Sequence, residues 1–545
     1  MTPERFRESL PAILCTTLGI ILALYCGRLI GSGSTRSLLM LLGGFGFLAV
    51  GILFRSKIWL LIPLTAMASG SIPSLPLPFS VANLGIITAF VWFLILRAVR
   101  FIDQKPEYSK LDFLLFANVA YLVVTFLRNP VGVQALGSDL VGGRPYFHVF
   151  LALCAYFVIQ RASLSISLAR KIPWLYILSS SLTTIAGAIT FFFPSTVPIF
   201  SRLYSDIVIS EYLREGDLTV SDENALSRYS FLTSFGSHLG LLLASFYRPL
   251  TLVTPFHLWR FLGFGIGITA ILLSGYRNSL IFLGGCFLLA IYYQRRIGDL
   301  LKILFYVVPF VAVILFLQGR AIELPFAVQR TLSFLPGIPW SEQAKQDAQH
   351  SVEWRIHLWK SVWENRKYWK DHWWGDGFGY SADEQRVMAA SSDLSPVDSS
   401  QENFLITGDL HSGPLTAART VGYVGTALFL AFYIGAGIYA HRLIRRAEGT
   451  PFFAVAMFFG IPVIYGPFHF IFIFGSFKHD MSSLILKVTY LKLIARSLKD
   501  YLAAKAAEKA NSDVSTGPAL DHRPPLPSLL PGRPAVPSLV NRQQA

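Results

Sequence analysis

Residues 301–318, LKILFYVVPFVAVILFLQ, hold a single charge, Lys302, at one edge. A helix that crosses the hydrocarbon core of a bilayer needs about 20 consecutive, mostly apolar residues, with a range of roughly 17–25. The stretch reads as a membrane span, and it is one of many. Working outward, similar runs occupy 11–30, 37–54, 58–69, 80–97, 111–127, 146–162, 172–193, 229–247, 257–273, 278–293, 419–440, 452–474 and 480–495. With 301–318 these make fourteen candidate spans, of which 58–69 is short enough to be re-entrant. The expected fold is an all-α polytopic membrane protein of about 14 transmembrane helices. Composition agrees: of 545 residues 53% are apolar and 14% charged, with a mean hydropathy of +0.51. Soluble domains carry about 25% charged residues.

The formal net charge is +15. In a polytopic chain such an excess is explained by basic connections on the cytoplasmic side rather than by nucleic acid. Arg55 and Lys57, Arg97 and Arg100, Lys105 and Lys110, Arg161 with Arg170 and Lys171, Arg248 and Arg260, Arg295 with Arg296 and Lys302, and Arg442 with Arg445 and Arg446 all lie in connections or at the span ends beside them. Fourteen spans place every one of them on the side of both termini, which the positive-inside rule makes cytoplasmic. The four cysteines, Cys15, Cys26, Cys154 and Cys286, all sit in apolar stretches, so neither a disulfide framework nor a cysteine metal site is expected. The N-terminus has no clear small-residue cleavage site before its apolar run and reads as a retained first span.

Five regions follow. Residues 1–228 form an N-terminal bundle with an acidic outer loop at 194–228. Residues 229–318 are central spans that carry Arg277 in a short outer turn. Residues 319–418 are a large outer loop, too long to be structureless in a compact protein. Residues 419–506 are the C-terminal spans. Residues 507–545 read as a disordered, Pro-rich cytoplasmic tail.

The outer loop holds the candidate chemistry. Seven of the eleven tryptophans lie there: Trp340, Trp354, Trp359, Trp363, Trp369, Trp373 and Trp374. In SVEWRIHLWKSVWENRKYWK, residues 351–370, Val352, Ile356, Trp359 and Trp363 share one helical face. Such a face suits a membrane interface, and its indoles suit stacking on sugars. WWGDGFGY follows, with Gly375, Gly377 and Gly379 permitting tight turns. His411 comes just before the next span, where an imidazole is placed to take a proton near neutral pH. Arg277, in ILLSGYRNSL, stands at membrane level, where a guanidinium either snorkels or binds an anion such as a diphosphate. There is no Walker loop, no HExxH and no Cys/His cluster, and acidic residues within the spans are scarce, which argues against an ion-coupled transporter.

In order, SGYRNSL with Arg277, WRIHLW with Arg355 and Trp359, GDGFG with Gly377 and Gly379, and LHSGPLTAARTVGYVG with His411 and Gly422 resemble the O-antigen ligase and O-antigen polymerase superfamily over about residues 229–475. Ser412 and Gly413 follow His411 where the family often has Asn. The resemblance implies a C-type membrane glycosyltransferase of a bacterial inner membrane. Its donor would be a glycan on undecaprenyl diphosphate and its acceptor a lipid or a growing polysaccharide. It further implies His411 as catalytic base, Arg277, Arg355 and Arg419 on the donor diphosphate, Trp359, Gly377 and Gly379 in the substrate loop, and no metal or other cofactor. Two other readings stand beside it. A flippase of polyprenyl-linked glycans would use polar span residues such as Asn118, Ser179, Ser180, Ser181, Thr183 and Thr184. A non-catalytic scaffold of a polysaccharide export system would tolerate changes at Arg277 and His411.

Overall fold

A computed structural model describes residues 24, 27–28, 31, 35–68, 79–102, 106–130, 143–203, 229–366, 368–378, 404–405 and 408–515. Most of the candidate span 11–30, Cys15, Cys26, Gly379, most of the acidic loop and the tail beyond 515 lie outside them. The chain forms two units, Met1–Ser497 and Leu498–Ala545.

Among the described residues every regular element is helical. In chain order they are α1 Thr35–Phe54, α2 Leu61–Thr65, α3 Val81–Ala98, α4 Lys110–Arg128, α5 Gly143–Ile159, α6 Ile166–Phe192, α7 Val197–Leu203, α8 Leu232–Phe246, α9 Leu250–Val253, α10 Leu258–Leu273, α11 Arg277–Tyr293, α12 Ile297–Leu317, α13 Phe326–Leu332, α14 Glu342–Glu364, α15 Gly413–Ala447, α16 Phe453–Phe472 and α17 Phe477–Ser515. Among the described residues eight helical stretches are long and apolar enough to cross a membrane, and α5, α8 and α11 are shorter apolar helices. The chain is thus a multi-pass all-α membrane protein. The expected span at 58–69 is not a helix in its own right. After the left-handed Arg55, φ 46°, which ends α1, a 3-10 segment, Arg55–Leu60, passes into the five-residue α2, too short a piece to cross alone. The tail read as disordered from 507 remains helical to Ser515, where AAKAAEKA supplies good helix formers.

Local chemistry sets the helix starts. Ser80 and Ser165 accept from the N–H groups of Asn83 and Leu168 at the heads of α3 and α6. Ser109 and Asp112 form a reciprocal capping box on α4. Burial then sorts centre from periphery. Only 6% of the most apolar window of α12 is buried, so this helix faces lipid, whereas 61% of that of α16 is buried. Polar groups anchor α12 at its base, where Arg248 donates twice to Asp299, at 2.7 and 2.8 Å.

Ion pairs and hydrogen bonds collect at two poles. At one, Lys492 reaches Asp112, Tyr156 donates to the same carboxylate at 2.8 Å, Arg295 pairs with Glu448 at 2.7 Å, and Arg496 donates to the carbonyls of Gln160 and Ala162. At the other, Arg128 pairs with Asp371 at 2.6 Å and Arg277 donates to the Arg330 carbonyl at 3.1 Å. The first is the basic pole; the second carries the loop.

Candidate functional site

The loop has its own core. Leu358 and Val362 of α14 pack with Tyr368, Trp369, Leu405, Leu410 and Ala418, and Trp354, Phe404 and Leu415 close the edges. The buried stripe of α14 is therefore the one through Trp354, Leu358 and Val362. The stripe expected to be apolar is the exposed one, with Val352 49%, Ile356 56%, Trp359 36% and Trp363 61% exposed. Apolar on both faces, α14 is held by the loop core on one side and offers the other to the interfacial region of a membrane.

This core sets His411. The Trp359 indole N–H donates to the Leu410 carbonyl at 2.7 Å, one residue before the histidine. Trp359 thus braces the backbone at the candidate base. His411 itself adopts a left-handed backbone conformation, φ 52°, uncommon outside glycine. Its ring lies within 5.6 Å of the Trp354 ring and 5.4 Å of those of Phe404 and Phe474, measured between centroids. Burial in this aromatic cage lowers the imidazole pKa. Asp409 works against that shift, while Arg355 and Lys478 add to it. The ring is therefore neutral near pH 7. Among the described residues its Nδ1, which is buried, has no hydrogen-bond partner, and a carboxylate oxygen of Asp409 lies 3.8 Å away.

Arg355 is the histidine's cationic neighbour. Burial depresses its pKa, and its Nε has no hydrogen-bond acceptor among the described residues. Arg277 opens α11 after the turn at Gly275 and lies within electrostatic reach of both Arg355 and Asp347. It donates to the Arg330 carbonyl and, at 3.3 Å, to Ser333 Oγ. A guanidinium carries five N–H donors, so capacity remains for an anion. Arg277 also lines an 800 Å³ cleft between the 333–341 segment and α14, with Lys345, Gln349 and Glu353 on the opposite wall. Arg330 and Asp347 form an ion pair behind it.

Arg419 lies with its guanidinium against Gly408, next to Asp409. It is 2% exposed, and its Nε donates to the Tyr368 carbonyl at 2.8 Å. It belongs to a seam where the 371–377 turn meets a break in α15. Gly422 leaves helical geometry there, with φ 67° and ψ −178°. A break frees backbone groups that a membrane protein must satisfy internally. The turn does so through its own backbone. Tyr423 N–H donates to His372, and Val424 N–H to Trp373; Asp376 and Gly377 N–H donate to the Arg419 and Thr420 carbonyls. A Cβ on Gly375 would strike the backbone of Thr420–Gly422, and one on Gly422 the backbone of Trp373 and Trp374. The turn is fixed from within by two carboxylates. Asp371 accepts from Trp373 and Trp374 N–H, each at 3.0 Å, and Asp376 accepts from Lys370 and Asp371 N–H, at 2.7 and 2.9 Å. Gly377, φ 80°, lies against the Tyr146 hydroxyl.

The structure thus gathers Arg277, Arg355 and His411, makes Trp359 a brace, and places Arg419 and Gly377 in the seam that holds the loop to α15. Asp409 and Lys478, 3.7 Å apart beside His411, were not foreseen. A signal existed for Lys478: it is a basic residue on the side that the charge rule leaves poor in them. Among the described residues no three His, Cys, Asp or Glu side chains gather closely enough to hold a metal ion.

Residues 262–430 match the family model described as O-antigen ligase. The match covers less than half of the chain and takes in Arg277, Arg355, Trp359, Gly377, His411, Arg419 and Gly422. It supports the resemblance drawn from those motifs and indicates glycosyl transfer of the ligase or polymerase kind. No curated protein matches the chain significantly.

Proposed function

We propose that this chain, with its O-antigen ligase match over 262–430, transfers a glycan from undecaprenyl diphosphate to a lipid or polysaccharide acceptor at the outer face of a bacterial inner membrane, both termini being cytoplasmic. The observation that carries the reading is a pair of buried nitrogens, Arg355 Nε and His411 Nδ1, on side chains within electrostatic reach of each other, neither with a hydrogen-bond partner among the described residues. Buried polar groups are nearly always hydrogen-bonded, so an exception asks for a partner such as a bound ligand.

In the reaction the acceptor hydroxyl oxygen attacks the anomeric carbon of the donor sugar. The bond from that carbon to the diphosphate oxygen breaks, and its electron pair stays with the diphosphate. Arg355 and Arg277 stabilise that charge in a site where fixed cations count for more than they do in water. The hydroxyl proton passes to His411, which its burial keeps neutral and receptive. The resulting imidazolium gains from the faces of Trp354, Phe404 and Phe474 and from Asp409. Because arginines supply the positive charge, transfer is expected to persist in chelator.

The test uses purified protein in nanodiscs and a radiolabelled undecaprenyl-diphosphate glycan. His411→Ala should lose about 10²–10⁴-fold in rate, and Arg277→Ala and Arg355→Ala should lose transfer while remaining folded. Folded variants that transfer at the wild-type rate would sink the assignment.

A further inference from the structure

The last helix carries a polar stripe that the chemistry above leaves unused. His479, Ser482, Ser483, Leu486 and Lys487 follow the spacing i, i+3, i+4, i+7, i+8, so they share one face of α17. The rest of the helix at this level, Met481, Leu484, Ile485 and Val488, is buried. The stripe lines a cavity of about 250 Å³ between α6, α8, α11, α16 and α17. This cavity shares His479, Ser482 and Leu486 with a larger one of about 530 Å³, whose wall includes Asp409 and Lys478 of the loop pole.

The stripe ends in a cation. Lys487 is nine positions from Lys478 and five from Lys492 of the basic pole. These steps are about 14 and 8 Å along a helix axis, so Lys487 lies within the span. An ionisable residue there faces a partner or a cavity and marks a candidate site. Lys492 has partners: it reaches the Asp112 carboxylate and donates to the Glu107 carbonyl at 2.9 Å. The Lys487 ammonium has no hydrogen-bond acceptor among the described residues. Asp480, two turns earlier, attracts it through space without coming to ion-pair distance, and that carboxylate accepts from the Ser476 N–H at 2.8 Å. The attraction offsets part of the cost of a charge inside the bundle, and it leaves three N–H donors unfilled. Two hydroxyls of the same cavity, those of Ser237 and Ser483, are likewise without a hydrogen bond among the described residues. Much of the remaining wall is apolar. The Tyr176 ring meets those of Phe458 and Phe459 edge-on, at 6.0 and 5.5 Å between centroids, and Phe282 and Pro462 adjoin them.

We propose that this cavity binds a small organic anion, a carboxylate or phosphate on a compact apolar body. The oxyanion takes charge-assisted hydrogen bonds from the Lys487 ammonium and further ones from the Ser237 and Ser483 hydroxyls. The body lies against the rings of Tyr176, Phe458 and Phe459. At about 250 Å³ the space falls below the roughly 300–1,000 Å³ of drug-sized sites, too little for a polyprenyl chain or a glycan repeat. The site is therefore separate from the transfer reading above and stands or falls without it.

The experiment needs neither glycan nor transfer. Binding of benzoate, phenyl phosphate and neutral benzamide to the full chain in phosphatidylcholine nanodiscs is measured by equilibrium dialysis at up to roughly millimolar concentration, with uptake by empty nanodiscs subtracted. At least one anion should bind about tenfold or more tighter than benzamide, the gain expected of a hydrogen bond between charged partners. Tighter binding of benzoate assigns the head group as carboxylate, and tighter binding of phenyl phosphate assigns it as phosphate. Lys487→Met should remove the preference, and Lys487→Arg should keep most of it. Ser237→Leu, which fills the cavity from α8 and leaves the charge in place, should abolish binding of all three; it carries the test if Lys487→Met does not fold. Equal binding of anions and benzamide, no binding, a preference that survives Lys487→Met, or binding that survives Ser237→Leu overturns the proposal.

Discussion

At the scale of single residues, His411 combines a glycine-like backbone with a cage of three rings. His411→Gly should keep that backbone, since glycine takes positive φ freely, and should leave a slot for free imidazole. Added imidazole should restore part of the lost transfer in this variant and none in Arg277→Ala. The acid limb of kcat/KM reports the free enzyme's base. It should lie below the ordinary histidine range, because burial lowers the pKa. Lys478→Gln should move the limb to higher pH and Asp409→Asn to lower pH, because Lys478 disfavours the protonated ring and Asp409 favours it. Trp359→Phe keeps a ring but loses the bond to Leu410. It should lower kcat about tenfold, from a hydrogen bond worth about 1 kcal/mol and the loosened base, with KM little changed. The sequence showed Arg277, Arg355 and His411 as separate motifs. It could not show that Trp359 serves the backbone, because an indole N–H finds its acceptor only when the loop folds on itself.

At the scale of elements, the join between the 371–377 turn and α15 decides whether the loop has a fixed position. Gly422→Ala puts a methyl into the Trp373–Trp374 backbone at a conformation that non-glycine residues avoid. It should cost about 1–3 kcal/mol in strain alone and more from the lost docking, and would be read as a lower thermal midpoint in detergent. Arg128→Gln should cost under about 1 kcal/mol, because the Arg128–Asp371 pair is 42% and 33% exposed. The same elements mark how far sequence reading reaches. The run 419–440 was legible as a span from its composition. Its true start at Gly413 and its break at Gly422 were not. A lone glycine in an apolar run also suits close helix packing, and this break is stable only because a turn fifty residues earlier supplies its hydrogen bonds.

For the whole molecule, the buried Lys492–Asp112 pair joins segments 380 residues apart at the basic pole. Lys492→Met should cost about 3–5 kcal/mol, because it leaves a buried carboxylate uncompensated. Adding Asp112→Asn should recover much of that; denaturant titration of the two variants checks it. The poles also predict accessibility. Lys345 and Arg295, with side chains 40% and 69% exposed, stand at opposite ends. In intact cells an impermeant maleimide should label a cysteine placed at 345, and should reach one placed at 295 only after permeabilisation. The reverse pattern would invert the orientation.

The seam at Gly422 has one more consequence. Its bonds run from main chain to main chain, from Tyr423 to His372 and from Gly377 to Thr420. An alanine scan would therefore register the join at the glycines, where a methyl is added, and at Asp371 and Asp376, whose carboxylates hold the turn, but would leave the bonds across it untouched. Probes that address the amide itself, such as proton exchange or replacement of a peptide link by an ester, would read the hinge pin directly.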